Sequence, residues 1–129
     1  MNRTDNPLNP LSGHTVIDLS RALAGPHAGM MLADLGARVI KVENPGTGDD
    51  TRGWSPPFVG PEDDLQSTYF MSCNRNKESI SLDLKSGEGK AVLRGCWNAP
   101  TLSSKTSAQV SWAGWGSPRQ PCMRLIRAW

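Results

Sequence analysis

The sequence predicts an α/β fold that opens with a strand–helix–strand unit. Residues 15–19 form a short β-branched and apolar run, which is typical of a buried strand. Apolar residues then recur at helical spacing between Ala28 and Leu35, and residues 39–42 form a second apolar run. A right-handed crossover through the helix would make the two strands parallel. At 129 residues, the chain forms one domain at most.

The turn between the first strand and the helix is Ala24-Gly25-Pro26. Proline suits the first turn of a helix because its missing N–H would have no partner there. Gly36 stands where a left-handed C-cap belongs. We expect the helix to bury one apolar face, formed by Ala28, Met31, Leu32 and Leu35.

Polar and proline-rich sequence follows the second strand. Residues 44–50 are rich in Gly and Asp and predict a loop, and residues 54–64 are expected to be irregular. A short helix over residues 67–73 and a polar turn over 74–77 come next. Ile80, Leu82 and Leu84 then alternate with polar residues, as in a strand, and Ser86 is placed to cap a last helix.

Three segments are candidates for binding an anionic ligand. The first is the turn at residues 24–26, because a helix N-terminus presents free N–H groups and a positive dipole end. The spacing of Gly25 and Gly29 is not that of a dinucleotide fingerprint, although Glu43 stands where such folds carry a ribose-binding acid. The alternative interpretation is an ordinary turn between a strand and a helix.

The other two candidates are polar loops with basic residues. In the 46–52 loop, GTGDDTR, Arg52 suits a bidentate clamp on an anion; the alternative is a solvated loop with a local Asp–Arg pair. In the 74–85 segment, NRNKESISLDLK, Arg75, Lys77 and Lys85 suit a polyanion such as a nucleotide diphosphate. The alternative there is a solvated edge with exposed cations.

Taken together, three separated motifs resemble one known family in order and spacing. They are LSGHTVIDLSRALAGP, LADLGARVIKVENPGTGDDTR and YFMSCNRNKESISLDLKSGEGK. Over residues 10–95 the chain resembles the N-terminus of the family III CoA-transferases, the carnitine dehydratase and formyl-CoA transferase group. The resemblance implies the Rossmann-like N-terminal portion of such a domain, left incomplete here. It also implies a homodimer, acyl-CoA and carboxylic acid substrates, and transfer of coenzyme A between them.

The resemblance also suggests which residues contact coenzyme A. These are Leu23 and Ala24 in the first turn, and Leu82, Asp83, Leu84 and Lys85 in the third motif, with Lys85 as the partner of a phosphate. Some relatives carry an arginine contact where this chain has Asn44. The family's nucleophile is an Asp much further along, so no catalytic residue is assigned in this chain.

The last part of the chain, residues 96–129, departs from the family pattern. Nine basic and twelve acidic residues precede Ala91, whereas five basic and no acidic residues follow it, and four of the five tryptophans lie from Trp97 onward. We expect an irregular tail that arose by a frameshift or a gene truncation. A basic tail that binds nucleic acid is a weaker alternative because its charges do not cluster.

Composition narrows the remaining possibilities. The chain has no apolar stretch long enough to cross a membrane and no secretory signal at its start, which predicts a cytoplasmic protein without membrane or nucleic-acid partners. Its three cysteines and two histidines lack metal-ligand spacing, so no metal is expected. The sequence GDDTRGWSPPFVG resembles branches that use succinyl-CoA. The alternatives are an α-methylacyl-CoA racemase-like enzyme and a non-catalytic fragment that binds coenzyme A.

Overall fold

A parallel sheet of four strands organises the molecule. The structure is a computed structural model that describes residues 9–54, 56–97 and 101–104. The strands of this sheet are β1 (Thr15–Asp18), β2 (Arg38–Glu43), β5 (Lys77–Ser81) and β6 (Thr101–Ser104), and their order across the sheet is β5-β2-β1-β6. The helices are α1 (Ala24–Asp34), α2 (Thr68–Asn74) and α3 (Gly87–Trp97), and β3 (Phe58–Val59) pairs with β4 (Gln66–Ser67) in a small antiparallel ribbon.

The predicted strand–helix–strand unit is confirmed. β1 and β2 run parallel, with Thr15 opposite Arg38 and Asp18 opposite Lys41. Gly36 ends α1 at a φ of 97°, the left-handed conformation expected of a C-cap. The apolar core lies between α1 and the sheet, where Val16, Ala33, Ala37 and Val39 are buried and Leu11 and Leu32 pack against them.

The predicted buried face of α1 is wrong at three of its four residues, since only Leu32 packs against the core. Met31 and Leu35 are 54% and 45% exposed, and Ala28 is also exposed. The buried residues of α1 are Gly25, Pro26, Gly29, Met30 and Ala33. This rotation has a packing cause, because a Cβ at Gly29 would lie 3.1 Å from the Asp18 carboxylate, so a face of small residues is what approaches the sheet.

The strand predicted around Ile80, Leu82 and Leu84 is β5, and it lies earlier in the chain than predicted. It spans Lys77–Ser81 and pairs with β2, so Leu82 and Leu84 fall beyond its end. The chain turns at Asp83, whose carbonyl accepts the Ser86 N–H. Ser86 caps α3 as predicted, because its Oγ accepts the Gly89 N–H at 2.9 Å.

The region between β2 and α2 is less irregular than predicted. It contains the β3–β4 ribbon and a turn of 3-10 helix at Asp50–Gly53. Ser67 begins α2, and its Oγ accepts the Phe70 N–H at 3.3 Å. The predicted short helix is thus confirmed, shifted by one residue.

Part of the expected irregular tail forms a strand. β6 pairs in parallel with β1, with Thr15 opposite Thr101 and Asp18 opposite Ser104. It therefore occupies the place in the sheet that the fourth strand of a Rossmann-like unit would take. The remainder of the expected tail, residues 98–100 and 105–129, lies outside the described residues.

Candidate functional site at the carboxyl edge of the sheet

The strand order creates a crevice at one edge of the sheet. From β1, the chain builds towards β2 and β5 on one side and towards β6 on the other. In open parallel sheets, ligands bind beyond the carboxyl ends of the strands where the strand order reverses in this way. Here that point lies at the end of β1, where residues 19–23 form the turn into α1 (the β1–α1 turn).

The two predicted contact segments lie at this same edge. Leu23 and Ala24 follow β1, and residues 82–85 follow β5 (the β5–α3 turn). β2 separates these two strands, which places the segments about 10 Å apart at ordinary strand spacing. This is a span that one extended, nucleotide-sized ligand can bridge.

The β1–α1 turn has an unusual backbone. Ala22 has a φ of 67°, which is uncommon for a residue with a side chain; backbone held in this conformation recurs at functional sites. Leu23 is the N-cap of α1 and makes no side-chain capping bond. The first amides of α1 therefore lack the side-chain acceptor that Ser, Thr, Asp or Asn would supply, and they suit an acceptor group from a ligand. Leu23 is itself 52% exposed and Ala24 is exposed.

Two hydrogen bonds from backbone N–H groups hold the β5–α3 turn in place. Leu82 donates its N–H to the Glu43 carbonyl at 3.0 Å, and the Asp83 carboxylate accepts the Lys85 N–H at 2.8 Å. Asp83 is thus already engaged as a local acceptor. The Lys85 side chain is exposed, so its ammonium can reach a phosphate. Leu84 is half-buried beneath this turn.

Below the β1–α1 turn lies a buried ion pair between Lys77 and Asp18. The Lys77 ammonium donates to Asp18 at 2.9 Å, to the Pro26 carbonyl at 2.7 Å and to Asn74 at 2.8 Å. Burial opposes ionisation of Asp18, but the bonds from Lys77 and Ser20 outweigh it and hold the pKa of Asp18 below its usual value. Burial also lowers the pKa of Lys77.

A second buried pair joins Lys41 to Asp49, with 2.7 Å between the ammonium and the carboxylate. Lys41 also donates to the Ser20 carbonyl at 2.9 Å. Asp49 accepts the Thr51 N–H and hydroxyl, so it begins the 3-10 turn. The pair therefore ties the loop after β2 to the turn after β1.

Glu43 and Arg52 form an ion pair with each other at the end of β2. Arg52 donates to both carboxylate oxygens of Glu43 at 2.7 Å, and Ser79 and the Asp49 N–H also donate to that carboxylate. Burial opposes ionisation, but these donors, Arg52 foremost, lower the pKa of Glu43 to about 2. Arg52 lies 3.8 Å above the centre of the Phe70 ring. The pairing favours a structural interpretation of this loop over an anion clamp at Arg52 or a ribose-binding acid at Glu43, although the partner of Arg52 is Glu43 and not the neighbouring Asp.

The third predicted cluster of cations is divided between two ends of a strand. Arg75 pairs with Asp34 at 2.5 Å, before β5 begins, and Lys77 is buried. Lys85 alone of the three follows the carboxyl end of β5. Asn44 lies in the loop after β2, where its amide donates to the Thr47 hydroxyl at 2.9 Å.

Asp18, Lys41 and Asp49 are buried charged residues that were not among the predicted site residues. A signal for two of them was present, because a charge within a strand of a parallel sheet, buried on both faces, requires a partner. Within the described residues, no group of three or more His, Cys, Asp or Glu side chains is placed to hold a metal ion. None of the helices in the described ranges is both long and apolar enough to span a bilayer.

Comparison with known proteins shows which family this chain resembles. Residues 11–95 match the family model of CoA-transferase family III. The chain is 55% identical over 89 residues to the human succinyl-CoA:glutarate CoA-transferase, covering 69% of this chain and 19% of that protein. It is 60% identical over 87 residues to the succinate–glutarate CoA-transferase of Agrobacterium fabrum (strain C58), covering 66% and 22%.

A solved structure shares the fold. The CAIB/BAIF family protein from Brucella suis superposes with a TM-score of 0.67 at 46% identity, over 73% of this chain and 25% of that one. The chain therefore spans about a fifth of the length of the curated relatives it matches and a quarter of this structure.

Proposed function

Because the chain belongs to CoA-transferase family III, we propose that its carboxyl edge binds the coenzyme A portion of an acyl-CoA. The observation that carries this proposal is the shared position of residues 23–24 and 82–85 beyond the ends of β1 and β5. In this proposal, the uncapped amides at the start of α1 donate hydrogen bonds to an oxygen of the ligand, and Lys85 pairs with a phosphate. Leu23 and Leu84 supply apolar contact, and Asp83 holds its turn in place.

We further propose succinyl-CoA as the donor and a small dicarboxylate, such as glutarate, as the acceptor. The name of the human relative states succinyl-CoA and glutarate, and that of the Agrobacterium relative states succinate and glutarate; both proteins are more than half identical to this chain in the matched region. In such a transfer, the acceptor carboxylate ends as the new thioester and succinate is released. The 129 residues contain no residue to which we assign nucleophilic catalysis.

The isolated chain is therefore proposed to bind coenzyme A without turning over. We would titrate coenzyme A into the 129-residue chain by calorimetry, and separately incubate the chain with succinyl-CoA and glutarate. The expected result is measurable binding, with no glutaryl-CoA formed. Binding should weaken about five- to tenfold in Lys85→Ala, the loss of one charge-assisted phosphate contact.

A matched control is Arg94→Ala, which removes an exposed cation two turns further along α3. Coenzyme A affinity in this variant should equal that of the unaltered chain. The absence of coenzyme A binding would contradict the binding proposal. Formation of glutaryl-CoA would contradict the proposal that these residues lack the nucleophile.

A further inference from the structure

Ser20 is hydrogen-bonded through all of its polar atoms beneath the candidate site. It is fully buried at the start of the β1–α1 turn. Its N–H donates to the Asp18 carboxylate at 2.9 Å, its hydroxyl donates to the same oxygen, and its carbonyl accepts from Lys41. Every polar atom of Ser20 is thus held by a buried charged side chain.

Lys77 fixes the other end of the same turn. Its ammonium bonds to Asp18 at the end of β1, to the Pro26 carbonyl in the first turn of α1, and to Asn74 at the end of α2. The three N–H donors of an ammonium group match these three acceptors in number. One cation therefore joins three elements at a point where the chain between Asp18 and Pro26 must bend.

Stability alone does not explain why Asp18 and Lys77 are buried as an ion pair. Burial of a paired carboxylate and ammonium rarely stabilises a fold more than apolar side chains of similar size would. The Lys77 side chain is only 2% exposed and that of Asp18 is fully buried. By contrast, the ion pair of Arg38 and Glu78 lies exposed on the same sheet and follows the usual pattern of surface pairs.

We infer that Asp18 and Lys77 are positioning residues, which hold the β1–α1 turn in the conformation that binds coenzyme A. This inference rests on the proposed function. Asp18 sets the bend at Ser20, and Lys77 sets the first turn of α1 through Pro26. Between these two anchors lie Ala22, with its positive φ, and the uncapped N-terminus at Leu23. Neither positioning side chain is exposed to a ligand, so both act through the backbone.

The test compares coenzyme A affinity in variants of the full chain. Lys77→Met keeps the length and the apolar stem of the side chain and removes its charge. Ser20→Ala leaves the buried ion pair intact and removes only the hydroxyl contact. This second variant keeps the test possible if Lys77→Met does not fold. We expect affinity to fall at least tenfold in Lys77→Met and about threefold in Ser20→Ala.

Two controls separate positioning from loss of stability. Arg38→Met breaks the exposed pair with Glu78 at the amino ends of the strands, and Val39→Ala destabilises the core without touching the turn. The dissociation constant of each variant for coenzyme A should lie within twofold of that of the unaltered chain, when it is measured under conditions in which the variant is folded. If Lys77→Met or Ser20→Ala, once folded, binds as tightly as these controls, the positioning role is wrong.

Failure of the proposed function gives a different result, because the unaltered chain would then not bind coenzyme A at all. In that case the amide resonances of Leu23 and Gly25 decide the positioning role. Lys77→Met, or Ser20→Ala in its place, should displace them further than Val39→Ala does. Equal displacements would overturn the inference.

Discussion

Arg52 donates two hydrogen bonds of 2.7 Å to the carboxylate of Glu43, and its guanidinium carbon lies 3.8 Å from the centre of the Phe70 ring. The Glu43 side chain is only 4% exposed, whereas that of Arg52 is 38% exposed. The pair therefore closes the loop after β2 over the end of that strand. Its role is structural, since each side chain is the main partner of the other.

Removing Arg52 should destabilise the fold. Arg52→Met keeps an apolar stem over Phe70 but leaves a buried carboxylate without its main partner, which costs about 2 kcal/mol for a pair of this partial exposure. Chemical denaturation measures this loss. The control is Arg75→Met, whose pair with Asp34 is exposed and should contribute less than about 1 kcal/mol. Equal losses in the two variants would contradict the structural role of Arg52.

Stability should fall in acid because of Glu43. Its pKa is about 2 in the folded chain against 4.5 ordinarily, so the unfolded chain binds more protons between these values. The stabilisation by ionised Glu43 is complete above pH 4.5 and disappears as the pH falls to about 2. It amounts to as much as about 3 kcal/mol.

Unfolding free energies measured from pH 7 to pH 2 check this dependence. The lowered pKa values of Asp18 and Asp49 act in the same direction, so Glu43→Gln should flatten the acid slope without abolishing it. An identical slope in Glu43→Gln and the unaltered chain would show that Glu43 is not the group responsible.

Two adjacent methionines test the orientation of α1. Met30 is 3% exposed and Met31 is 54% exposed. Met30→Ala should cost about 2–4 kcal/mol because it opens a cavity in the core, whereas Met31→Ala should change stability by less than about 0.5 kcal/mol. Thermal and chemical unfolding of the two variants measure the difference. The reverse order would restore the face predicted from the sequence.

Gly89 should be intolerant of a side chain. A Cβ at this position would collide with the carbonyl oxygen of Asp83, which lies in the β5–α3 turn. Gly89→Ala should therefore destabilise the chain by about 1–3 kcal/mol and shift this turn. Gly95→Ala, in open space on the same helix, should stabilise α3 by about 0.5–1 kcal/mol. Equal effects of the two changes on unfolding would contradict the close approach of α3 to Asp83.

The strand–helix–strand unit could be predicted because its signals are local. A β-branched run, a proline in the first helical turn and a glycine at the C-cap each act within a few residues, and the structure confirms all three. The face of α1 could not be predicted from periodicity. Its cause is a tertiary contact, the approach of Gly29 to Asp18, which apolar spacing does not encode.

Only part of the candidate site could be predicted from the sequence, for a related reason. The resemblance supplied the segments at residues 23–24 and 82–85, which the fold brings to one edge, while their contact with coenzyme A stays a prediction. The ion pairs of Glu43, Arg52 and Lys77 could not be predicted, because a charge in a sequence does not show which partner the fold brings to it. Each of these side chains is satisfied by a residue at least nine positions away.

The most direct test of the account is to map coenzyme A onto the chain by amide resonances. On titration of the isotope-labelled chain, the amides of Ala24, Gly25 and residues 82–85 should shift together and saturate with a single dissociation constant. Those of Arg38 and Glu78, towards the amino ends of the strands, should stay in place. Shifts confined to the amino ends, or no saturable shift at the carboxyl edge, would contradict the assignment of this edge as the binding site.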